Sequence, residues 1–319
     1  MPNPGQLKAL KENSPENGRA HANCPAFATV WVANPGQLKE KRPETPPSKR
    51  KSGTPTPPLF IAAVQTANRV AIDPLCHHDR VPLLNRTLPI AVFDSGVGGL
   101  TVLHECLVWL PHEDFVYLGD TARFPYGGRD PDQLREMAVE IGSYLVEEER
   151  AKLVVVACNS AAAAGLPRIA EATGIAVVGV IAPAARQAVR ATSNKRVGLL
   201  ATPATVASGA YERAIQAEDP EVQLHSIPCP KLAPLIQEGG ALDPSVIDIV
   251  DEYCEPLHAA EVDTVILGCT HYPIVRSVLQ RALGRDVTLV SSGQAIAVPE
   301  VTSVTPGPSR RCRSARTNG

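Results

Sequence analysis

Two stretches decide how this chain is read: Leu153-Val154-Val155-Val156-Ala157-Cys158-Asn159-Ser160 and Thr264-Val265-Ile266-Leu267-Gly268-Cys269-Thr270-His271. Each is a short apolar run, then a small residue, a cysteine, and a small polar residue suited to capping a helix. Unbroken apolar strands of this kind belong to parallel sheets covered on both faces. Working outward, the same alternation continues. Strands are predicted at 89–93, 115–118, 153–157, 176–180, 196–201, 222–227, 264–268 and 287–290. Helices are predicted at 99–110, 131–149, from Cys158 to about 172, and at 183–190, 203–216, 231–238, 245–258 and 273–283. Thr202 is placed to cap the 203–216 helix, with Pro203 at its first position. Apolar strands alternating with helices define the α/β class.

The flanks differ. Residues 1–88 are rich in Pro, Lys, Asn and Ser and repeat a hexapeptide, Asn3-Pro4-Gly5-Gln6-Leu7-Lys8 and Asn34-Pro35-Gly36-Gln37-Leu38-Lys39. A basic run (Lys39, Lys41, Arg42, Lys49, Arg50, Lys51) follows the repeat. This leader buries too little apolar surface to offset its chain entropy and is expected to be disordered. So is the Pro/Arg-rich tail, 299–319.

With 319 residues and 44% hydrophobic composition, the chain can bury the cores of two compact units. A formal net charge of −2 gives no reason to expect nucleic acid or an anionic membrane. No apolar run is long enough to span a bilayer. Eight cysteines without a Cys-x-x-Cys pair argue against zinc ribbons and thioredoxin-like redox chemistry, and for reduced thiols in a cytoplasmic protein.

In α/β sheets, ligands bind beyond the carboxyl ends of strands. Cys158 and Cys269 therefore both emerge at a functional edge. A helix N-terminus beside each is expected to lower its pKa from about 8.5 toward neutrality. A single cysteine at a strand end is ordinarily a small core hydrophobe. Two in matched contexts point to chemistry needing a base on each side of one carbon: a 1,1-proton transfer. Each thiol has a candidate helper. Asp94 ends the first strand in Phe93-Asp94-Ser95-Gly96-Val97-Gly98-Gly99, whose backbone N–H groups can turn toward an anion. The Gly-Lys-Ser/Thr ending of a nucleotide loop is absent there. His271 stands two residues past Cys269 as its acid/base partner. The segment Gly119–Gly127, with Pro125-Tyr126-Gly127, reads equally as a substrate loop or a plain turn. Cys24, Cys76, Cys106, Cys229, Cys254 and Cys312 receive no role. No side-chain cluster has metal-ligand spacing, and no lysine suggests a pyridoxal Schiff base.

Taken in order, Ile90–Thr101, Asp120–Gly127, Ala157–Ser160, Thr202–Tyr211 and Gly268–Pro273 resemble the glutamate racemases of the aspartate/glutamate racemase superfamily, over residues 90–298. The resemblance implies two parallel-sheet α/β lobes related by pseudo-symmetry, with the active site in the cleft between them. The lobes would be 89–181, with 286–298 returning to it, and 182–285. The resemblance implies interconversion of L- and D-glutamate, with no cofactor and no metal. Cys158 would deprotonate D-glutamate with support from Asp94, and Cys269 would deprotonate L-glutamate with support from His271. Asp94, Ser95, Tyr126, Gly127, Asn159, Ser160, Thr270 and His271 would hold the substrate, and D-glutamate would feed peptidoglycan synthesis. Glutamate is then the expected partner, and a homodimer is an open arrangement.

Three departures stand out. Ser160 occupies a position usually held by threonine, and Gln237 one often held by glutamate. The tail replaces a final helix that packs on the first lobe. Two other readings stay open: a sister racemase acting on aspartate or another amino acid, and a catalytically inactive binding protein on the same fold.

Overall fold

The structure, a computed structural model, describes residues 30–34, 37–41, 60–64, 88–239 and 243–296. Two sheets organise it. In the first, β4 (Ile90–Asp94), β5 (Phe115–Gly119), β6 (Leu153–Val156) and β7 (Ala176–Gly179) lie parallel in the order β5-β4-β6-β7. In the second, β8 (Arg196–Ala201), β9 (Gln223–Pro228), β10 (Thr264–Gly268) and β11 (Thr288–Ser291) are also parallel, in the order β9-β8-β10-β11. Counted from the start of each unit, both orders are second, first, third, fourth. The chain thus builds one topology twice.

That topology fixes where a ligand can sit. The chain leaves the first strand of each unit toward one side of the sheet and the third toward the other. The crevice beyond their carboxyl ends is where α/β sheets bind ligands. In the first unit it lies between Asp94-Ser95, after β4, and Cys158, after β6. In the second it lies between Thr202, after β8, and Cys269, after β10.

The central strands are apolar because helices cover both faces, whereas β9, at a sheet edge, carries Gln223, His225 and Ser226. Ile90, Ala91, Val92 and Phe93 of β4, Leu153–Val156 of β6 and Val265–Leu267 of β10 have no exposed surface. Flanking helices include α1 (Leu100–Trp109), α2 (Pro131–Glu147) and α3 (Asn159–Thr173), then α4 (Ile181–Ala191). The Asp130 side chain caps α2, accepting from the Asp132 and Gln133 N–H groups, and Pro131 takes the first helical position. α8 (Ser245–Ala259) and α9 (Arg276–Leu283) pair on the second sheet. Among the described residues, no helix is long and apolar enough to cross a membrane.

Several expectations are corrected. The predicted helix 203–216 is two helices, α5 (Pro203–Ala207) and α6 (Ala210–Glu218), broken where Gly209 takes φ +63°, a conformation that favours glycine. The predicted helix 273–283 opens as a 3-10 turn (Tyr272–Val275) before α9. Of residues 286–298, expected to return to the first lobe, β11 pairs with β10 at the edge of the second sheet. Only α10 (Ser292–Ile296) reaches across, packing on α1. Within the leader expected to be disordered, β1 (Val30–Asn34), β2 (Gln37–Lys41) and β3 (Phe60–Val64) form strands. β3 pairs antiparallel with β5 and extends the first sheet. Val30-Trp31-Val32 and Phe60-Ile61 are β-branched and aromatic, and the average composition of the segment conceals such local strand chemistry. The rest of the leader and the tail 299–319 lie outside the described residues.

Candidate active site

The two crevices face each other and close into one cavity of about 160 Å³, below the roughly 300–1,000 Å³ of drug-sized pockets. Cys158 and Cys269 both line it, with Ser95, Tyr126, Gly127, Asn159, Ser160, Thr270 and His271. Asp94 lies just beneath, with no exposed surface. Every residue singled out from the sequence is thus brought to one place. None of the lining residues is Lys or Arg, so a carboxylate there would be met by N–H and O–H donors.

Asp94 ties the glycine loop to the opposite lobe. Its Oδ2 accepts from the Gly96 and Gly99 N–H groups at 3.0 and 3.1 Å. Its Oδ1 accepts from the Thr270 hydroxyl at 3.1 Å. The Thr101 hydroxyl, at the start of α1, lies 2.8 Å from the Gly98 carbonyl and 3.3 Å from that of Thr270. Beneath the loop, the buried Tyr117 hydroxyl donates to the Gly96 carbonyl at 2.7 Å.

The thiols are not the low-pKa groups that their strand-end positions suggest. Burial pushes Cys158 up to about 12, and the Asp94 charge adds to it. Hydrogen bonds from the Ala161 and Ser160 backbone and from Ser95 offset only part of this. Burial also raises Cys269 well above the ordinary thiol value, against a hydrogen bond from the His271 backbone. No α-helix begins directly after Cys269; a 3-10 turn does, so its dipole contribution is small. Both thiols therefore rest protonated, because a closed apolar cavity penalises the thiolate more than nearby N–H groups favour it.

His271 lies with Nδ1 3.8 Å from the Cys269 sulfur and Nε2 2.7 Å from the Gln237 Oε1. Burial lowers its pKa, and the Asp94 charge opposes this. Phe124, from the first-lobe loop, packs against its ring at 5.4 Å between centroids. That loop is built and not a plain turn. The Asp120 carboxylate accepts from the Tyr126 hydroxyl and from Arg123, each at 2.5 Å, and Arg129 donates to the carbonyls of Arg123 and Pro125. The Ala204 N–H donates to the Gly127 carbonyl across the cleft at 2.8 Å.

Three features escaped the sequence reading. Thr202 caps its helix as expected, but it also lines the cavity. Its hydroxyl lies 2.8 Å from that of Ser160 and 3.0 Å from that of the buried Thr205. The repeated topology was the available signal, since Thr202 follows the first strand of its unit as Ser95 follows the first of the other. Cys229 also lines the cavity. It follows β9 (Gln223–Pro228), whose Gln223, His225 and Ser226 break the apolar pattern, so the strand-end signal of the other two is missing there. Finally, Gln237 stood out in the sequence only as a departure from glutamate; its contact with the His271 ring, made from α7 (Leu232–Gln237), was not readable there.

Comparison with known proteins agrees with this geometry. Residues 109–299 match the family model described as Asp/Glu/Hydantoin racemase. The chain is 45% identical over 206 residues to the glutamate racemase of Corynebacterium kroppenstedtii, covering 65% of this chain and 71% of that one. Among solved structures, a glutamate racemase isoform from Bacillus anthracis matches with a TM-score of 0.66 at 39% identity, over 69% of this chain and 82% of that one. The glutamate racemase of Francisella tularensis, solved in complex with D-glutamate, matches with a TM-score of 0.62 at 33% identity, over 66% and 79%.

Proposed function

Because this chain belongs to the Asp/Glu/Hydantoin racemase family, we propose that it interconverts L- and D-glutamate by passing the α-proton between Cys158 and Cys269. The observation that carries the reading is the placement of these two thiols. They stand at the ends of equivalent strands of two equivalent sheets and line one cavity from opposite lobes.

The chemistry follows from what surrounds them. An amino-acid α-proton is weakly acidic, so the site must stabilise charge as the C–H bond breaks. The backbone and hydroxyl donors at Ser95, Asn159, Ser160 and Thr270 receive the α-carboxylate and side-chain carboxylate. The substrate ammonium group brings a positive charge into a cavity that otherwise disfavours a thiolate, and so makes deprotonation of one thiol easier. That thiolate takes the α-proton, and the electron pair of the C–H bond stays on the substrate. The opposite thiol then delivers its own proton to the other face. When the first thiolate forms, its proton passes to the Asp94 carboxylate on the Cys158 side or to the His271 Nδ1 on the Cys269 side. The residues perform this as an acid/base exchange in which no electrons are gained or lost. The D-glutamate so made would supply peptidoglycan synthesis in the cytoplasm.

The test is the whole chain with D-glutamate in D₂O, with no additive, following optical rotation and the α-proton signal together. The reading expects both to decay, with deuterium in the product. A folded protein that changes neither would overturn glutamate as the substrate. The same assay on aspartate then tests the sister-racemase reading.

A further inference from the structure

Asn159 lines the cavity with both ends of its side-chain amide held by other residues. It follows Cys158, starts α3 in the first lobe and is 2% exposed. Yet its partners come from the second lobe and its edge. The Tyr211 hydroxyl, on α6 and with no exposed surface, donates to the Asn159 Oδ1 at 2.7 Å. In this hydrogen bond the phenol donates and the amide oxygen accepts, so the Oδ1 edge of Asn159 is turned toward Tyr211. The Ser292 hydroxyl sits beside the same amide, accepting from the Asn159 Nδ2 at 3.3 Å and lying 3.4 Å from its Oδ1. Ser292, the first residue of α10, lies in turn 3.5 Å from the Leu267 carbonyl on β10, two residues before Cys269.

We infer that Tyr211 and Ser292 are positioning residues that hold the Asn159 amide with its nitrogen toward the cavity, so that Asn159 serves as a carboxylate donor only when the second lobe is docked against the first. This rests on the proposed glutamate racemase reading. Each amide N–H can serve one acceptor. With Oδ1 taken by Tyr211 and one N–H by Ser292, the second N–H is the group left to meet an incoming carboxylate. If the amide were free to flip, the cavity would face an oxygen half the time, and an oxygen repels a carboxylate. The chain Tyr211–Asn159–Ser292–Leu267 also links the residue beside one thiol to the strand carrying the other. Neither Tyr211 nor Ser292 lines the cavity, so both act through Asn159.

Tyr211→Phe removes the donor and keeps the buried ring. The expected result is a rise of about tenfold in KM for glutamate, with kcat changed much less, as for a lost hydrogen bond that orients a binding group. A structural role alone would lower Tm and leave KM where it was. The decisive readout is a double-mutant cycle. In an Asn159→Ala background, Tyr211→Phe is expected to leave KM unchanged, because nothing remains to be positioned. Ser292→Ala, a smaller cut, tests the other arm in the same way. An unchanged KM in Tyr211→Phe, or a full and additive rise in the Asn159→Ala background, would overturn the inference. Wild-type protein that turns over no glutamate would instead overturn the function on which it rests.

Discussion

Gln237 and His271 are joined across 2.7 Å, from the ring Nε2 to the amide Oε1, and this one contact sets the protonation of the second acid/base pair. The same Oε1 accepts the Val97 backbone N–H at 3.2 Å. A backbone N–H can only donate, so the atom facing His271 is an acceptor, and Nε2 must carry the ring proton. In the neutral ring, favoured by burial, Nδ1 is then left with a lone pair 3.8 Å from the Cys269 sulfur. His271 is thereby poised to take the proton of Cys269, not to give one.

Gln237→Leu leaves both the Val97 N–H and the His271 Nε2–H without this acceptor and frees the ring to turn. A fall in kcat/KM of about tenfold or more is expected, comparable to losing one buried hydrogen bond to a working group. Gln237→Glu keeps the acceptor and adds a charge, which favours the imidazolium and raises the His271 pKa. NMR titration of the ring should show its midpoint moving upward. Because enantiomers are equal in free energy, kcat/KM must change by the same factor in both directions. Wild-type kinetics in Gln237→Leu would remove the tautomer argument.

Cys158→Ser and Cys269→Ser should each abolish racemisation, with a loss of 10³-fold or more on the order of other acid/base deletions. A single remaining thiol can still exchange the α-proton it reaches. Cys158→Ser is therefore expected to wash deuterium into L-glutamate, and Cys269→Ser into D-glutamate, with no change of hand. Mass spectrometry of recovered substrate reads this directly. Near-full racemisation by either variant would end the two-thiol mechanism.

Buried thiols also make the fold sensitive to alkali. Cys158 in the cavity and Cys106 on α1 are pushed up to about 12, in both cases chiefly by burial. Between their ordinary value of 9.0 and about 12 the native state holds protons that the unfolded chain has released. Stability is therefore fully present below pH 9 and falls as pH rises, on the order of 1 kcal/mol per pH unit for each such thiol. Tm should be level from pH 7 to 9 and drop steeply by pH 10.5. Cys106→Ala, remote from the cavity, should lessen that drop by one thiol's share, since burial raises Cys229 and Cys254 in the same way. A Tm that holds through pH 10.5 would contradict the burial argument.

The parallel strands and both catalytic candidates were legible because they depend on short-range facts: an apolar run and the residue type that follows it. Cys158 and Cys269 announce themselves in that way. What escaped depends on apposition of the two lobes. Thr202 looked like a helix cap, and is one; its second role exists only because Ser160 comes to 2.8 Å from across the cleft. Thiol pKa values failed for the same reason. A helix N-terminus is readable from sequence, whereas enclosure by the facing lobe is not. The strands at Val30–Asn34 and Phe60–Val64 were missed because a proline-rich average hides two five-residue segments that add to the edge presented by β5.

Gly98 offers the sharpest steric test of that apposition. A Cβ built there would lie 2.6 Å from both the His271 Nδ1 and the Thr270 hydroxyl oxygen. These are closer than atoms can approach, and neither side chain has room to yield, since Thr270 and His271 are both buried. Thr270 is held by Asp94, and His271 by Gln237. Gly98→Ala must therefore either push His271 away from Cys269 or part the lobes. A misplacement of about 1 Å at the reacting groups costs on the order of 10²-fold in rate, so kcat should fall by that much. Far-UV circular dichroism should be unchanged, because the glycine lies in a loop and not in a strand. If Gly98→Ala racemises at the wild-type rate, the lobes are not packed against each other at this point during catalysis, and the closed cavity is not the state in which the proton moves.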